Sequence, residues 1–355
     1  MLDYAAATTL IVQRLQSTGT ADYSVSEIDN ALTYALDELG RYHPHTVPIT
    51  FKLESRRGTD TVAAASSVTD TVKGQFLSTD PTDEKVIHNI TRNTYAVALT
   101  QSSTSVITVG MNLMTANDEY RVYNKQCWNE RQIYIGDVPN YDQIDSVEYP
   151  IGMKRNWKRT GKILELDINR VPDSNANTAI VNIPYNVNCM VRFQQPHALP
   201  NLTDWTATLS ATAATGATTL SATALQSAGT ISTGAEFTIE NHRLTYVVAN
   251  SATIASNTVA ISFYPPLEAP VSSTAWVLTF EKTSLEPQYE DVVADIAVGR
   301  AMINRAPEFV NAINIGGGQV YQNFLATGQT KLADAQARLR KSVPPKTTRR
   351  FPTDV

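Results

Sequence analysis

Two hydrophobic periods alternate along the chain. Residues 3–16 place Tyr4, Leu10, Ile11 and Leu15 near one face at helical spacing. After a polar break over 17–22, Ser24 and Glu27 form an S-x-x-E capping box. Ile28, Leu32, Ala35, Leu36 and Leu39 then recur three and four apart, which predicts a second helix with an apolar stripe. Gly40 and Pro44 mark its end. From Val47 the period drops to two. Ile49-Thr-Phe51-Lys-Leu53, Val86-Ile-His-Asn-Ile90, Thr94-Tyr-Ala-Val-Ala98, Ser105-Val-Ile-Thr-Val109 and Tyr120-Arg-Val-Tyr123 alternate. Gln132-Ile-Tyr-Ile135, Ser146-Val-Glu-Tyr149, Ile163-Leu-Glu-Leu166 and Ala179-Ile-Val-Asn-Ile183 continue the series. Short strands divided by Asp, Asn, Pro and Gly predict an antiparallel sandwich or barrel over 47–203.

A second β-rich block spans 204–283. Residues 205–235 hold no charge and are mostly Thr, Ala and Ser. Strand-like runs come next at Phe237-Thr-Ile239, Leu244-Thr-Tyr-Val-Val248, Val259-Ala-Ile-Ser-Phe-Tyr264 and Trp276-Val-Leu-Thr-Phe280. Thr245-Tyr-Val-Val-Ala249 and its successor strands echo Thr94-Tyr-Ala-Val-Ala98 and its own, and both stretches suit small barrel-like units. We read 204–283 as an inserted small all-β domain. Helix returns at Glu286-Pro287, since proline suits a first turn, and runs to about Arg305. Gly316-Gly-Gly318 separates it from a last helix over about 319–341, and Pro344-Pro345 opens an extended basic tail, 343–355. The expected fold is α+β. N-terminal helices (1–46) pack with C-terminal helices (284–342) around an antiparallel β middle that carries the insertion.

Composition narrows the class. The chain has 355 residues, 42% hydrophobic but only 18% charged, below the roughly 25% usual for soluble domains. Low charge with 15 Tyr fits a structural protein whose surface is partly covered by neighbours. From 335 to 353 there are six basic residues, Arg338, Arg340, Lys341, Lys346, Arg349 and Arg350, and no acid. Taking that +6 from the formal −5 leaves the rest of the chain at −11. An acidic body does not hold nucleic acid, but it can line a passage for it. Cys127 and Cys189, with 61 residues between them, match no metal or disulfide framework and read as buried thiols in a reducing cytoplasm. No apolar run approaches a membrane span, and no signal peptide is apparent.

Chemistry is sparse. Gly316-Gly-Gly318 lacks a following Gly-Lys-Ser/Thr, so it is a hinge or turn and no phosphate loop. His43-Pro-His45 offers two imidazoles with no third ligand nearby in sequence, and His88, His197 and His242 are scattered. Asp142, Asp145 and Glu148 sit among tyrosines, a pattern open to glycoside chemistry but ordinary for loop acids. We expect no enzyme activity, no cofactor and no metal. Two basic features remain. Lys154, Arg155, Lys158 and Arg159, with Trp157 between them, read as a hairpin tip for a tail or subunit contact, with nucleic-acid stacking as the alternative. The tail, with Phe351 as an apolar anchor, reads as a docking strand for another subunit or as a nucleic-acid arm.

The layout as a whole resembles the head-to-tail adaptor (connector or head-completion) proteins of tailed bacteriophages. The likeness rests on the Ser24-x-x-Glu27 helix start and on Asn93-Thr-Tyr-Ala-Val through Ser102-Ser-Thr-Ser-Val-Ile-Thr-Val109 to Glu119-Tyr-Arg-Val-Tyr123. It rests also on Ile144-Asp-Ser-Val-Glu-Tyr-Pro150 with Trp157 and Gly161-Lys-Ile-Leu-Glu-Leu166, and on the closing helix Lys331-Leu-Ala-Asp-Ala-Gln-Ala-Arg-Leu339. The block Thr215-Gly-Ala-Thr-Thr-Leu220 to Tyr264-Pro-Pro-Leu267 is similar to small β-modules of phage virion proteins. Simple adaptors are shorter and mostly helical, so the β content is a departure. The resemblance implies a helical adaptor core and a homo-oligomeric ring, commonly of twelve subunits, assembled in the host cytoplasm and placed at the head-to-tail interface of the virion. It implies docking to the portal protein through Arg338, Arg340, Lys341, Lys346, Arg349, Arg350 and Phe351. Double-stranded DNA would pass through the channel without specific binding, and tail nozzle, tail tube or fibre proteins would dock on the β modules. Two other readings stand beside it: a tail, baseplate or fibre protein with a carbohydrate-binding β-module, and a polysaccharide-degrading enzyme using Asp142, Asp145 or Glu148.

Overall fold

The computed structural model describes residues 3–16, 23–54, 56–139, 141–169, 188–309 and 318–342. The chain divides into two compact units. The first takes Met1–Val47, Pro139–Gln143 and Gln194–Thr347; the second takes Pro48–Val138 and Ile144–Phe193. Four α-helices lie among the described residues, all in the first unit. Helix α1 (Tyr4–Arg14) is capped by the Asp3 carboxylate, which accepts from Ala6 N at 2.8 Å. Helix α2 (Val25–Tyr42) opens on the complete capping box. Glu27 N donates to Ser24 Oγ at 3.3 Å, and Ser24 N donates to Glu27 Oε2 at 2.7 Å, a device that stabilises a helix start by about 1 kcal/mol. Its stripe of Ile28, Ala31, Leu32, Ala35, Leu36 and Leu39 is buried.

Helix α3 (Pro287–Arg305) begins with proline and is buried along most of its length, through Val293, Ile296, Ala297 and Val298. Helix α4 (Gly318–Ser342) contributes Ala335 and Leu339. Ile11 of α1, Leu32 and Leu39 of α2, Ile296 of α3 and Leu339 of α4 belong to one apolar cluster. Non-directional burial of this kind is the main favourable contribution to folding.

The second unit is antiparallel β. One sheet orders β1 (His45–Lys52), β13 (Asn188–Gln195), β9 (Gln143–Glu148) and β10 (Lys154–Arg155). A second orders β2 (Arg57–Thr59), β7 (Glu119–Tyr123), β4 (Val86–Asn89), β5 (Thr94–Ser103), β6 (Val106–Val109) and β3 (Ser67–Thr69). A third sets β12 (Ile163–Leu166) between β11 (Trp157–Thr160) and β8 (Gln132–Tyr134). The expected strand at 179–183 lies outside the described residues. The inner face of the six-stranded sheet holds Val68, Phe76, Ile87, Ala98, Ile107, Val109, Tyr120 and Val122.

Residues 206–280 form a closed barrel in the first unit. Its strands are β14 (Thr206–Leu209), β15 (Thr219–Thr223), β17 (Glu236–Ile239), β18 (Thr245–Val248), β20 (Thr258–Tyr264) and β21 (Val277–Phe280). β15 pairs with both β14 and β20, so the circuit β14-β21-β17-β18-β20-β15 closes on itself. A further pair, β16 (Ala228–Ile231) and β19 (Ala252–Ala255), extends it. Phe237, Tyr246, Phe263 and Phe280 fill the interior with rings 5.3 to 5.7 Å apart. Threonine and serine take exposed or half-buried alternate positions, as in β15 and β20. That placement accounts for an uncharged stretch that still folds, because β-branched Thr suits a half-wet pleat.

The six-stranded sheet and this barrel share one topology. Taken in chain order, β2, β3, β4, β5, β6 and β7 pair as β14, β15, β17, β18, β20 and β21 do, strand for strand. Where β14 meets β15 in the barrel, the segment after β2 meets β3 by single bonds. Thr61 N donates to Thr69 O at 2.6 Å, and Thr69 N donates to Asp60 Oδ1 at 2.7 Å. The Thr-Tyr echo in the sequence nevertheless misaligns the two. Tyr246 is a core residue of the barrel, whereas Tyr95 lies against Val86, Tyr123 and Cys127 on the outer face of its sheet. A one-residue slip exchanges the faces of a strand, so the true equivalence is topological.

Asp60 shows a cost of that near-closure. It is fully buried, and its Oδ2 has no hydrogen-bond partner among the described residues. Burial pushes its pKa up, and Asp118 and Asp70 add to the rise. A raised carboxyl pKa means that the folded state favours the protonated form. Its stabilising effect is therefore present at low pH and lost as pH rises. We expect Asp60→Asn to raise the urea midpoint at neutral pH and to leave it unchanged near about pH 3, where the carboxyl is largely protonated.

Candidate functional site

The candidate docking residues start near the end of α4, with Arg340 and Lys341 in its last turn. Arg338 is partly exposed, yet its head group is engaged within the bundle. Its guanidinium pairs with Asp295 of α3 and lies 3.6 Å from Asp334. Asp295 also takes Arg14 of α1 at 2.7 Å and lies 4.0 Å from Lys331. One carboxylate thus gathers cations from α1 and α4 onto α3. Arg340 is exposed and donates from Nε to the Tyr42 hydroxyl at 3.2 Å. Lys341 is exposed. Cations in the last turn also oppose the negative end of the helix dipole. Of the seven docking residues expected from sequence, Arg338 is a bundle residue, while Arg340 and Lys341 stand at the surface. Lys346, Arg349, Arg350 and Phe351 lie outside the described residues.

The basic loop of the second unit is not one hairpin tip. Lys154 and Arg155 form β10 and pair with β9, whereas Trp157–Thr160 pairs with β12. The tip itself is at Gly161, with φ of +61°, where a side chain would be strained. Arg155 is buried and donates from Nε to the Tyr149 carbonyl at 2.6 Å, so it drops out of any contact patch. Trp157 stands opposite Leu166 and is half-buried, which limits the ring face free for stacking. Lys154, Lys158, Arg159 and Lys162 remain exposed.

Two features escaped the sequence. In the first unit, His43, His45 and His197 meet in a cleft of about 550 Å³ with Tyr289, Ser284 and Glu286. His43 and His197 stand 154 residues apart in sequence, so no local spacing pointed to them. In the second unit, Val97, Leu99 and Trp128 are exposed along an apolar groove of about 770 Å³. Strand alternation marks such residues only as outward.

Catalytic alternatives find little geometry. Glu148 accepts from Arg192 Nε at 3.2 Å and from Gly152 N at 2.9 Å, and Asp145 accepts from Ser146 Oγ at 3.1 Å; these are structural roles. Cys127 and Cys189 are buried free thiols, and burial pushes each pKa up to about 12, away from thiolate chemistry. Among the described residues, no cluster of His, Cys, Asp and Glu could hold a metal ion, and no helix is long and apolar enough to cross a membrane. Comparison with known proteins finds no family model that matches the chain, and no significantly similar curated protein or solved structure.

Proposed function

We propose that this chain is a structural virion protein, a ring-forming head-to-tail adaptor that binds the portal and extends the DNA channel. Its β modules present the docking surface for tail components. The observation that carries this reading is the course of α4. That helix is fixed into a core shared by α1, α2 and α3, and it leads, past the exposed Arg340 and Lys341, into the basic segment 343–355. A helix anchored in a shared core that leads into a cationic, proline-containing segment is a sound way to reach an acidic partner. The acidic remainder of the chain disfavours lasting attachment to DNA.

The test is a mass measurement of the assembled particle together with a portal-binding assay. The full chain is expected to form a ring near twelve copies and to bind portal rings. Truncation after Ser342 should abolish portal binding with the thermal midpoint unchanged. The cut must spare Arg338 and Leu339, which hold α4 in place. A monomer that ignores portal rings defeats the reading.

A further inference from the structure

The outer face of the six-stranded sheet leaves large apolar side chains in water. On β5, Val97 and Leu99 are 45% and 53% exposed, and Trp128 in the loop after β7 is 60% exposed. With Tyr95, Val86 and Ile163 they line the groove of about 770 Å³, a size ordinary for a ligand cleft. Its aromatic wall is held in place. Tyr95 stacks on His88 of β4 at 4.0 Å, and the Trp128 ring meets it edge-on at 5.4 Å. Trp128 N donates to Gln132 Oε1 at 2.8 Å. A contiguous apolar patch of this kind marks a contact site.

One edge of the groove is acidic. Pro81 and Glu84, on the turn before β4, line it, and Asp83 between them is exposed. Lys125 is shared by Glu84 at 3.2 Å and Asp137 at 3.7 Å, and Asp83 makes no ion pair among the described residues. Lys85 is mostly buried, held by Asn124 at 2.7 Å and lying 3.5 Å from Glu54. The exposed rim is therefore net negative. An apolar, cationic and extended segment is the occupant that such a groove favours.

The chain itself carries one. Residues 343–355, outside the described residues, read Val343-Pro-Pro-Lys-Thr-Thr-Arg-Arg-Phe-Pro-Thr-Asp-Val355. Pro344, Pro345 and Pro352 favour polyproline II, which loses little entropy on binding, and aromatic-lined grooves are common receptors for such segments. Phe351 supplies an apolar anchor. Lys346, Arg349 and Arg350 outnumber Asp354, so the segment carries the charge that the rim attracts. We infer that the groove of one copy receives residues 343–355 of a second copy. Tail and groove are different parts of one chain, so the contact is heterologous. Contacts of that type run head to tail and close into a ring where the rotation allows. The inference deepens the adaptor reading and rests on its ring: the tail grips the next copy until a portal takes it.

Cross-linking of the full chain without portal tests this, so failure bears on the copy-to-copy contact alone. Isotopically light and heavy chains are mixed in urea, refolded together and treated with a carbodiimide, which joins a carboxylate to a lysine amine with loss of water. Mass spectrometry should find Lys346, the one lysine of the segment, linked to Asp83 or Glu84, with light–heavy pairs among the products. Excess free peptide 343–355 should suppress the link. Trp128→Ala should lower its yield by about tenfold, as expected for an aromatic anchor. Phe351→Ala should do the same, and it lies outside the groove, so a misfolded groove cannot mimic it. Links within one isotope only would place the tail in its own groove and overturn the inference. Absence of the link, or a link indifferent to both substitutions, overturns it equally.

Discussion

Replacing Arg56 with methionine is expected to lower the stability of the second unit by about 3–5 kcal/mol, measured by urea unfolding. The guanidinium is 1% exposed and bonded at every nitrogen. Nε and Nη2 donate to Glu54 at 2.9 and 2.7 Å, Nη1 and Nη2 donate to Asp80 at 2.7 and 2.8 Å, and Nη1 also donates to Gln75 O at 3.0 Å. Methionine fills much of the volume, so the loss reads mainly as uncompensated charge. Glu54 and Asp80 would stay buried, with Lys85 still 3.5 Å from Glu54. The effect is large because the partners are left behind; exchanging all three groups for apolar ones is a different and milder experiment.

The same triad sets a pH dependence. Burial acts to raise the Glu54 pKa, but Arg56, Lys85 and Lys52 outweigh it and hold the carboxyl well below the usual range. A depressed carboxylate contributes stability above its unfolded pKa, about 4.3, and that contribution is lost as pH falls through the folded value. The wild type therefore loses stability in acid that Arg56→Met no longer has. The gap between the two should narrow below about pH 4, and a gap constant in pH would mean that lost packing, not lost charge, is responsible.

What the sequence made legible was local. The Ser24–Glu27 box, the apolar stripe of α2 and the proline that opens α3 each lie within a few residues of the structure they produce. The antiparallel middle was legible from alternation, but faces were not. Val86 and Ile87 are both buried, as are Val122 and Tyr123, because apolar groups cover both faces of that sheet. A sheet covered on both sides loses its period of two. That loss is why the Thr-Tyr echo could be read one residue out of register. The cations of the candidate site were visible as a charge run. Their partners were not: Asp295 is 43 residues from Arg338, and Tyr42 is 298 from Arg340. The histidines of the cleft and the Arg56 triad share that limit, since ion pairs and hydrogen bonds between distant segments leave no periodic trace.

The second large effect is expected at the crossing of α3 and α4, where Gly299→Val should cost about 3 kcal/mol and Gly299→Ala about 1. Neither Gly299 nor its counterpart Gly328 has a left-handed backbone, so the requirement is space. A Cβ at Gly299 would lie 2.9 Å from Gly328 O and 3.1 Å from Leu332 N; one at Gly328 would lie 2.9 Å from Gly299 O and 2.9 Å from Ile303 Cγ1. Alanine is favoured over glycine in a helix by about 1 kcal/mol, which opposes the loss. The obstacle here is backbone on the facing helix, which cannot turn aside as a flexible side chain could, so the clash wins. Once one added methyl has moved the helices apart, the second meets less resistance. Gly299→Ala with Gly328→Ala should therefore cost less than the two single losses added together, as expected for sites sharing one contact. Urea unfolding of the singles and the double decides this, and strict additivity would show that the two glycines do not share a close approach. The shift would also loosen Ala335 and Leu339 from the shared core. On the adaptor reading, portal binding through the end of α4 should weaken in step with stability.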